Sequence, residues 1–182
     1  KELNVDAQEI EQHLAPLSQD LIMSHFLYDY IKPEKVINSA YNLLKPNGLA
    51  SFASTTLEHY DETFLETLNR IPLFKKIIDW KEEIKNSALI KSHLQHLDLI
   101  NDAGFNLTQQ EHLIIPLTIN NAREFWDLCY NSGWQAAYFS EQSTAKLTLL
   151  KGLIFSLDFP GLNIYPIQFN CHLSIVLAQK PS

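Results

Sequence analysis

One stretch of this sequence, residues 20–56, constrains the fold more than any other. Asp20–Ser24 is a short apolar run bounded by polar residues, the pattern of a buried parallel strand. Pro33 stands where a helix begins, and Lys45–Gly48 ends that helix before a second strand-like run, Leu49–Thr56. A strand, a helix and a strand in this order predict a βαβ unit with parallel strands and a right-handed crossover.

The rest of the chain continues the alternation of strands and helices. A short strand ending near Asp6 is expected to open the chain, and Gly104 is expected to end a helix as its C′ residue. The further expected strands are Phe105–Leu117, broken at Pro116, and Ile167–Ala178, and the expected helices are Ala88–Ala103, Asn121–Asn131 and Ser143–Leu157. The sequence therefore predicts an α/β fold with one open sheet.

The composition indicates what kind of protein this is and which kinds of partner it binds. Hydrophobic residues make up 46% of the chain and charged residues 19%, as in ordinary soluble domains. The net charge is −7, from 14 Lys and Arg against 21 Asp and Glu, and no basic cluster occurs. We therefore expect neither nucleic acid nor a membrane surface as a partner.

The two cysteines and the chain's apolar stretches indicate the compartment. Cys129 and Cys171 lack metal-ligand spacing and are expected to be reduced, buried side chains. Lys1–Ile10 lacks the apolar core of a signal peptide, and no uncharged apolar run approaches the roughly 20 residues of a membrane span. We expect a cytoplasmic protein. Because the chain starts in a strand-like pattern without Met, we also expect a fragment of a longer one.

The βαβ stretch resembles a known family. Its Leu44-Lys45-Pro46 and Gly48 match the L-K-P-x-G turn between strands 4 and 5 of class I S-adenosylmethionine-dependent methyltransferases. Val5–Ala7 resembles the end of strand 3, Leu97–Phe105 the helix before strand 6, and the last strand resembles strand 7. The resemblance implies a Rossmann-like sheet that lacks its N-terminal strands and keeps strands 4, 5, 7 and 6 as one contiguous sheet.

A narrower resemblance covers the insertions. Pro116–Thr118, Ala122–Trp134 and Tyr165-Pro166 resemble the lid of malonyl-acyl-carrier-protein O-methyltransferases of biotin biosynthesis. We therefore interpret residues 1–182 as a single partial domain whose helical insertions, 57–86 and 118–166, form a lid. The substrate implied is a small carboxylate or an acyl-carrier-linked compound.

The sequence departs from the family in its glycines. It contains five, none in a G-x-G loop after a strand: Gly48, Gly104, Gly133, Gly152 and Gly161. The family uses such a loop, and an acid after strand 2, to hold the cofactor. S-adenosylmethionine is the cofactor that the resemblance implies, and we expect this chain alone to bind it weakly or not at all.

Candidate cofactor residues follow from the resemblance and from the topology. Asp6 and Ala7 match the family's adenine contact. Ser24 and His25 follow strand 4, at the carboxyl edge where such folds bind their ligands. His25 has an alternative interpretation as a solvated loop histidine.

Candidates for substrate binding and catalysis are weaker. Arg123 offers a cation for a free carboxylate, or it forms a surface ion pair. Tyr28 and Trp126 either line a substrate pocket or pack in a core. His25, His59 and Tyr60 are candidate catalytic groups, since they follow the strand ends; for His59 a surface position is the alternative.

Metal binding and protein partners complete the expectations. His93 and His96 are three residues apart on a helix, but no further ligand is near in sequence, and we predict no metal site. Loss of strand 1 would leave strand 4 as an open apolar edge. We therefore expect Lys1–Ile10 to be displaced or a second copy to pair there, and a non-catalytic dimerisation module is the alternative function.

Overall fold

The computed structural model describes residues 5–28, 31–59, 90–131, 142–158 and 164–182, with the side chains of His59, Cys129 and Asn131 left out. The chain divides into two compact units. The first comprises Lys1–Glu58, Ala88–Ile114 and His172–Ser182, and the second comprises His59–Ser87 and Ile115–Cys171. No helix among the described residues is long and apolar enough to cross a membrane.

Four strands form one sheet. They are β1 (Gln19–His25), β2 (Leu44–Thr55), β3 (Asn106–Ile119) and β4 (Ile167–Gln179), in the order β1-β2-β4-β3. β1 and β2 are parallel, and β2 and β4 are antiparallel. This arrangement confirms the predicted α/β fold, in which the family's strands 4, 5, 7 and 6 form a contiguous sheet.

The crossover helix α2 (Pro33–Leu43) begins and ends as the sequence predicts. Pro33 occupies the first turn, where its missing N–H costs no hydrogen bond, and one face of the helix is buried against the sheet. Beyond the helix the left-handed backbone falls on Asn47, with φ 65°, rather than on Gly48. Gly48 is needed for space, since a Cβ there would lie 2.9 Å from Leu44 Cδ2 and from the Lys45 carbonyl oxygen.

Three expectations about strands are wrong. β2 begins at Leu44 rather than at Leu49, so Lys45–Gly48 lies within the strand instead of before it. Val5 and Asp6 are not in a strand; they precede a 3₁₀ turn (Ala7–Glu9) and the short helix α1 (Ile10–His13), while residues 1–4 lie outside the described ranges. The turn forms because the Asp6 carboxylate accepts a hydrogen bond from the Gln8 N–H, as an N-cap does. Pro116 does not break β3, because β3 is the last strand of the described sheet and Pro is tolerated on an edge.

The core of the first unit lies between the sheet and its helices. Phe52 on β2 is fully buried and meets the Phe105 ring edge to face, with centroids 5.8 Å apart. The buried members of this core are Tyr28, Ile31, Val36, Ile37, Ala40, Leu44, Ala50, Phe52, Ile90, Ile100, Phe105, Val176 and Ala178.

Helix α3 (His93–Asp102) is shorter than the expected Ala88–Ala103. Its N-cap is Ser92, whose hydroxyl accepts from the Gln95 N–H, and Ile90 before it forms a parallel bridge with Thr56. Gly104 follows with φ 95°, which confirms its predicted place after the helix end.

The second unit has its own helices and core. Helix α4 (Ala122–Trp126), capped by Asn121, continues into a π-helical turn (Asp127–Asn131), and α5 (Thr144–Ser156) is capped by Ser143. Its buried core consists of Ile119, Ala122, Phe125, Trp126, Leu150, Ile154, Leu157, Ile167 and Phe169. Almost all of the predicted insertion 57–86 lies outside the described residues, so the lid stays a prediction.

Candidate functional site

The carboxyl end of β1 holds a buried hydroxyl without a hydrogen-bond partner. Ser24 is 7% exposed, and its Oγ has no partner among the described residues. The next residue, His25, is exposed, and its Nε2 lies 3.0 Å from Ser51 Oγ on β2. An unpaired buried hydroxyl costs about 1–3 kcal/mol, so Ser24 calls for an explanation beyond folding.

Ser24 lines a cleft of about 270 Å³ between the N-terminal segment, β1 and α2. Ala7 lines the same cleft, so the structure brings together two of the four residues that the sequence suggested for the cofactor. Asp6 and His25 are not among the lining residues, and the Asp6 carboxylate caps the turn that follows it. The described walls are mostly apolar, and Lys35 is the one charged residue among the described lining residues.

Tyr28 belongs to the core rather than to a substrate pocket. Its side chain is 1% exposed, and its hydroxyl oxygen lies 3.1 Å from His96 Nε2. Burial raises the pKa of Tyr28 well above its ordinary value. The structure therefore supports the interpretation of Tyr28 as a core residue.

The remaining predicted site residues belong to the second unit or lie outside the described residues. Arg123 is exposed on α4, and its guanidinium has no carboxylate within ion-pair distance among the residues whose side chains are given. Trp126 is 7% exposed in the unit's core and stacks on Tyr130 with centroids 4.8 Å apart. The His59 side chain and Tyr60 are not described.

Four histidines of the first unit converge on one region of the sheet, a feature that the sequence analysis missed. We call this group the histidine cluster; its members are His93, His96, His112 and His172. His93 and His96 meet through Ser174 Oγ on β4, which lies 2.7 Å from Nδ1 of His93 and 2.8 Å from Nδ1 of His96. The i,i+3 spacing was the only sequence signal, since the other partners come from β3 and β4.

The buried part of the cluster favours one direction of hydrogen bonding. If Tyr28 donates to His96 Nε2, then His96 Nδ1–H donates to Ser174 Oγ, and the Ser174 hydroxyl donates to His93 Nδ1. The opposite direction leaves the buried Tyr28 O–H without an acceptor among the described groups. We therefore assign both imidazoles as neutral, with Nε2–H on His93.

The pKa shifts agree with neutral rings. Desolvation, and then the neighbouring His93, lower the pKa of His96 from 6.5 to about 4. Desolvation and the neighbouring His112 lower the pKa of His93, against a smaller rise from Glu58. Both rings are therefore uncharged at neutral pH.

The outer part of the cluster includes a carboxylate. His112 Nε2 lies 3.1 Å from His172 Nδ1 and 3.5 Å from Glu58 Oε2. Glu58 lies in the turn Leu57–His59 that comes after the carboxyl end of β2, the edge of the sheet at which folds of this type bind ligands.

Comparison with known proteins gives the fold. No protein-family model and no curated protein matches the sequence. Among solved structures, a Bacillus halodurans C-125 protein provisionally described as a methyltransferase matches with a TM-score of 0.56 at 12% identity, over 98% of this chain and 70% of its own. The YcgJ protein of Bacillus subtilis matches with a TM-score of 0.52 at 10% identity, over 97% of this chain and 69% of that one.

A third match is weaker. An S-adenosylmethionine-dependent methyltransferase from Methanosarcina mazei has a TM-score of 0.49 at 11% identity, over 97% of this chain and 65% of that one. The chain thus spans about two thirds of the length of these proteins. The Bacillus halodurans match shows the Rossmann-like methyltransferase fold, represented here by strands 4, 5, 7 and 6, and at such an identity it shows the fold alone.

Proposed function

We propose that this chain forms part of an S-adenosylmethionine-dependent methyltransferase and supplies one wall of its cofactor cleft. The observation that carries the proposal is Ser24. Its hydroxyl is buried and unpartnered at the carboxyl end of β1, and Ser24 is one of the residues that line a cleft together with Ala7. A ligand that hydrogen-bonds this hydroxyl would relieve its desolvation. The fold of the chain supports the same assignment.

The residues present fit the cofactor on one side. Apolar walls suit a flat adenine ring, the Ser24 hydroxyl offers a hydrogen bond, and the cleft is close to the roughly 300 Å³ at which ligand pockets begin. The cofactor supplies an already activated methyl group. This chain therefore has to position and enclose the reacting groups and to exclude water from them. The 182 residues contain no glycine-rich loop, and binding by this chain alone should therefore be weak.

A finer proposal concerns the methyl acceptor. Arg123 is exposed on α4 without a carboxylate partner among the described side chains, which suits a substrate with a free carboxylate. A small carboxylate or an acyl-carrier-linked substrate such as malonyl-acyl-carrier protein meets this requirement. Acetyl-acyl-carrier protein lacks the free carboxylate and is the matched comparison in a methyl-transfer assay of the full-length protein.

Replacing Ser24 tests the cofactor assignment. The Ser24→Ala variant should weaken binding of S-adenosylhomocysteine about 2- to 10-fold, the value of one hydrogen bond. In the ligand-free protein it should raise Tm by about 2–4 °C, because an unpaired buried hydroxyl is removed. Binding is measured by an NMR titration and stability by thermal unfolding.

The matched control is Ser54→Ala. Ser54 is also a buried serine, but its hydroxyl already donates to the Thr55 carbonyl, and it is not among the cleft residues. This control should leave ligand affinity unchanged. Equal ligand affinities in wild type and Ser24→Ala would remove Ser24 from the cofactor site.

A second candidate function is a non-catalytic module that pairs with another copy through β1. Leu21 and Met23 on this strand are 54% and 65% exposed, and within the described ranges no strand covers the far edge of β1. Sedimentation separates the candidates: a stable dimer that does not bind S-adenosylhomocysteine favours the module, and a ligand-binding monomer favours the enzyme.

A further inference from the structure

We propose that Glu58, His112 and His172 bind a divalent transition-metal cation of the Zn²⁺ type. The ligand atoms of these three residues all lie within 4.8 Å of one another. All three belong to the first unit, from the turn after β2 and from the adjacent strands β3 and β4. The inference is independent of the proposed function, because it uses neither Ser24 nor the cleft.

The distances suit a shared cation. A tetrahedral Zn²⁺ with bonds of about 2.0–2.1 Å places its ligand atoms about 3.3 Å apart. The two distances from His112 Nε2, 3.1 Å to His172 Nδ1 and 3.5 Å to Glu58 Oε2, bracket that value. A cation can therefore be placed among the three atoms with small side-chain adjustments.

Without a cation, one proton on His112 Nε2 cannot serve both of that atom's neighbours in the cluster. His112 Nε2 faces both a ring nitrogen and a carboxylate oxygen, and a single N–H can point at only one of them. If that nitrogen is instead unprotonated, its lone pair faces the negative carboxylate. One cation in the middle would be bonded by the lone pairs of all three atoms at once.

The donor set is typical of zinc. Two imidazole nitrogens and a carboxylate oxygen are common Zn²⁺ ligands, and three protein ligands leave a position for water or a substrate oxygen. The side chains of His112 and Glu58 are 27% and 34% exposed, so the ion can enter from solvent. A cation here would lie beside the carboxyl end of β2.

Neighbouring groups hold the carboxylate in place. Glu58 Oε2 accepts hydrogen bonds of 3.0 Å from the Thr56 hydroxyl and from the His93 backbone N–H. The His93 ring stacks on His112 with centroids 5.0 Å apart and planes 10° apart. Outer groups that orient metal ligands in this way typically raise metal affinity 10- to 100-fold.

The test is a Zn²⁺ titration of the full chain, purified without a histidine tag and stripped with a chelator. Calorimetry should give one ion per chain, and a hundredfold excess of Zn²⁺ over Kd should raise Tm by about 5–10 °C. His112→Gln, His172→Gln and Glu58→Gln should each weaken Zn²⁺ binding at least about tenfold. Since these side chains are partly exposed, the metal-free variants are expected to fold, which their circular dichroism reports.

The matched control is His25→Gln, an exposed histidine outside the cluster, which should bind Zn²⁺ like wild type. Co²⁺ provides a second readout, because its absorption spectrum should show low-coordinate geometry in wild type and lose it in His112→Gln. Absence of binding at about 100 μM Zn²⁺, which means a binding free energy weaker than about −5.5 kcal/mol, would overturn the proposal. Equal binding by wild type and all three ligand variants would also overturn it.

Discussion

Acidification from pH 7 to pH 4 should lower the free energy of unfolding by about 3 kcal/mol through His96 alone. The folded protein holds the pKa of His96 near 4, against 6.5 for an unburied histidine. Between these values the unfolded chain binds the proton and the folded chain does not. The stabilisation is therefore complete above about pH 6.5 and is lost as the pH falls towards 4.

The structural origin of this effect is a buried neutral ring. His96 has no exposed surface, and it is bonded between the Tyr28 hydroxyl and Ser174 Oγ. Protonation would place a charge in this core with no carboxylate in contact with His96 among the described groups. The lowered pKa of His93 acts in the same direction.

Urea unfolding at several pH values, followed by tryptophan fluorescence, measures the effect. His96→Gln keeps hydrogen-bonding capacity but cannot titrate. The loss of its free energy of unfolding between pH 7 and pH 4 should therefore be about 3 kcal/mol smaller than the loss in wild type. His25→Gln, at an exposed site, should retain the wild-type dependence. Parallel curves for wild type and His96→Gln over this range would contradict the assignment of His96.

Gly104→Ala should destabilise the protein by about 2 kcal/mol and lower Tm by about 4–8 °C. The backbone φ of 95° is strained for any residue with a Cβ. A Cβ would also lie 3.2 Å from two ring carbons and the hydroxyl oxygen of Tyr41. That ring is held between Phe105, edge to face at 5.1 Å, and Lys180, whose Nζ lies 4.3 Å above it.

The control for this substitution is Gly152→Ala on α5. Gly152 lies inside a helix, and a Cβ there would meet nothing within 4 Å among the described atoms. Alanine should stabilise the helix by up to about 1 kcal/mol. Thermal unfolding of the two variants should therefore give Tm changes of opposite sign, and a loss of similar size in both would show that the Gly104 backbone is not the cause.

Local signals made part of the fold predictable from the sequence. Pro33 marks the start of a helix through its restricted backbone, and Gly48 marks the close backbone approach beyond that helix, where a Cβ would not fit. The alternation of β4 reflects its two faces. The strand order came from the family resemblance, and the structure confirms it. Local patterns were misleading at Val5 and Asp6, where the carboxylate cap of a helical turn prevails over a weak strand pattern.

The histidine cluster could not be predicted, because its contacts join distant parts of the chain. Tyr28 and His96 are 68 positions apart, and His93 and Ser174 are 81 apart. His112 and His172 meet across adjacent strands although they are 60 positions apart in the sequence. The unpartnered state of Ser24 is likewise a property of the packed chain, although its place at the carboxyl end of this strand was predicted.

An amide NMR titration of the ¹⁵N-labelled chain with S-adenosylhomocysteine tests the cofactor cleft most directly. We expect weak binding, with Kd of about 1 mM, and shift changes centred on Ala7, Ser24 and Leu27, which line the cleft. The histidine cluster should remain unaffected. Absence of shift changes at about 5 mM ligand, or changes confined to residues outside the cleft, would contradict the assignment of this chain to the cofactor wall of a methyltransferase.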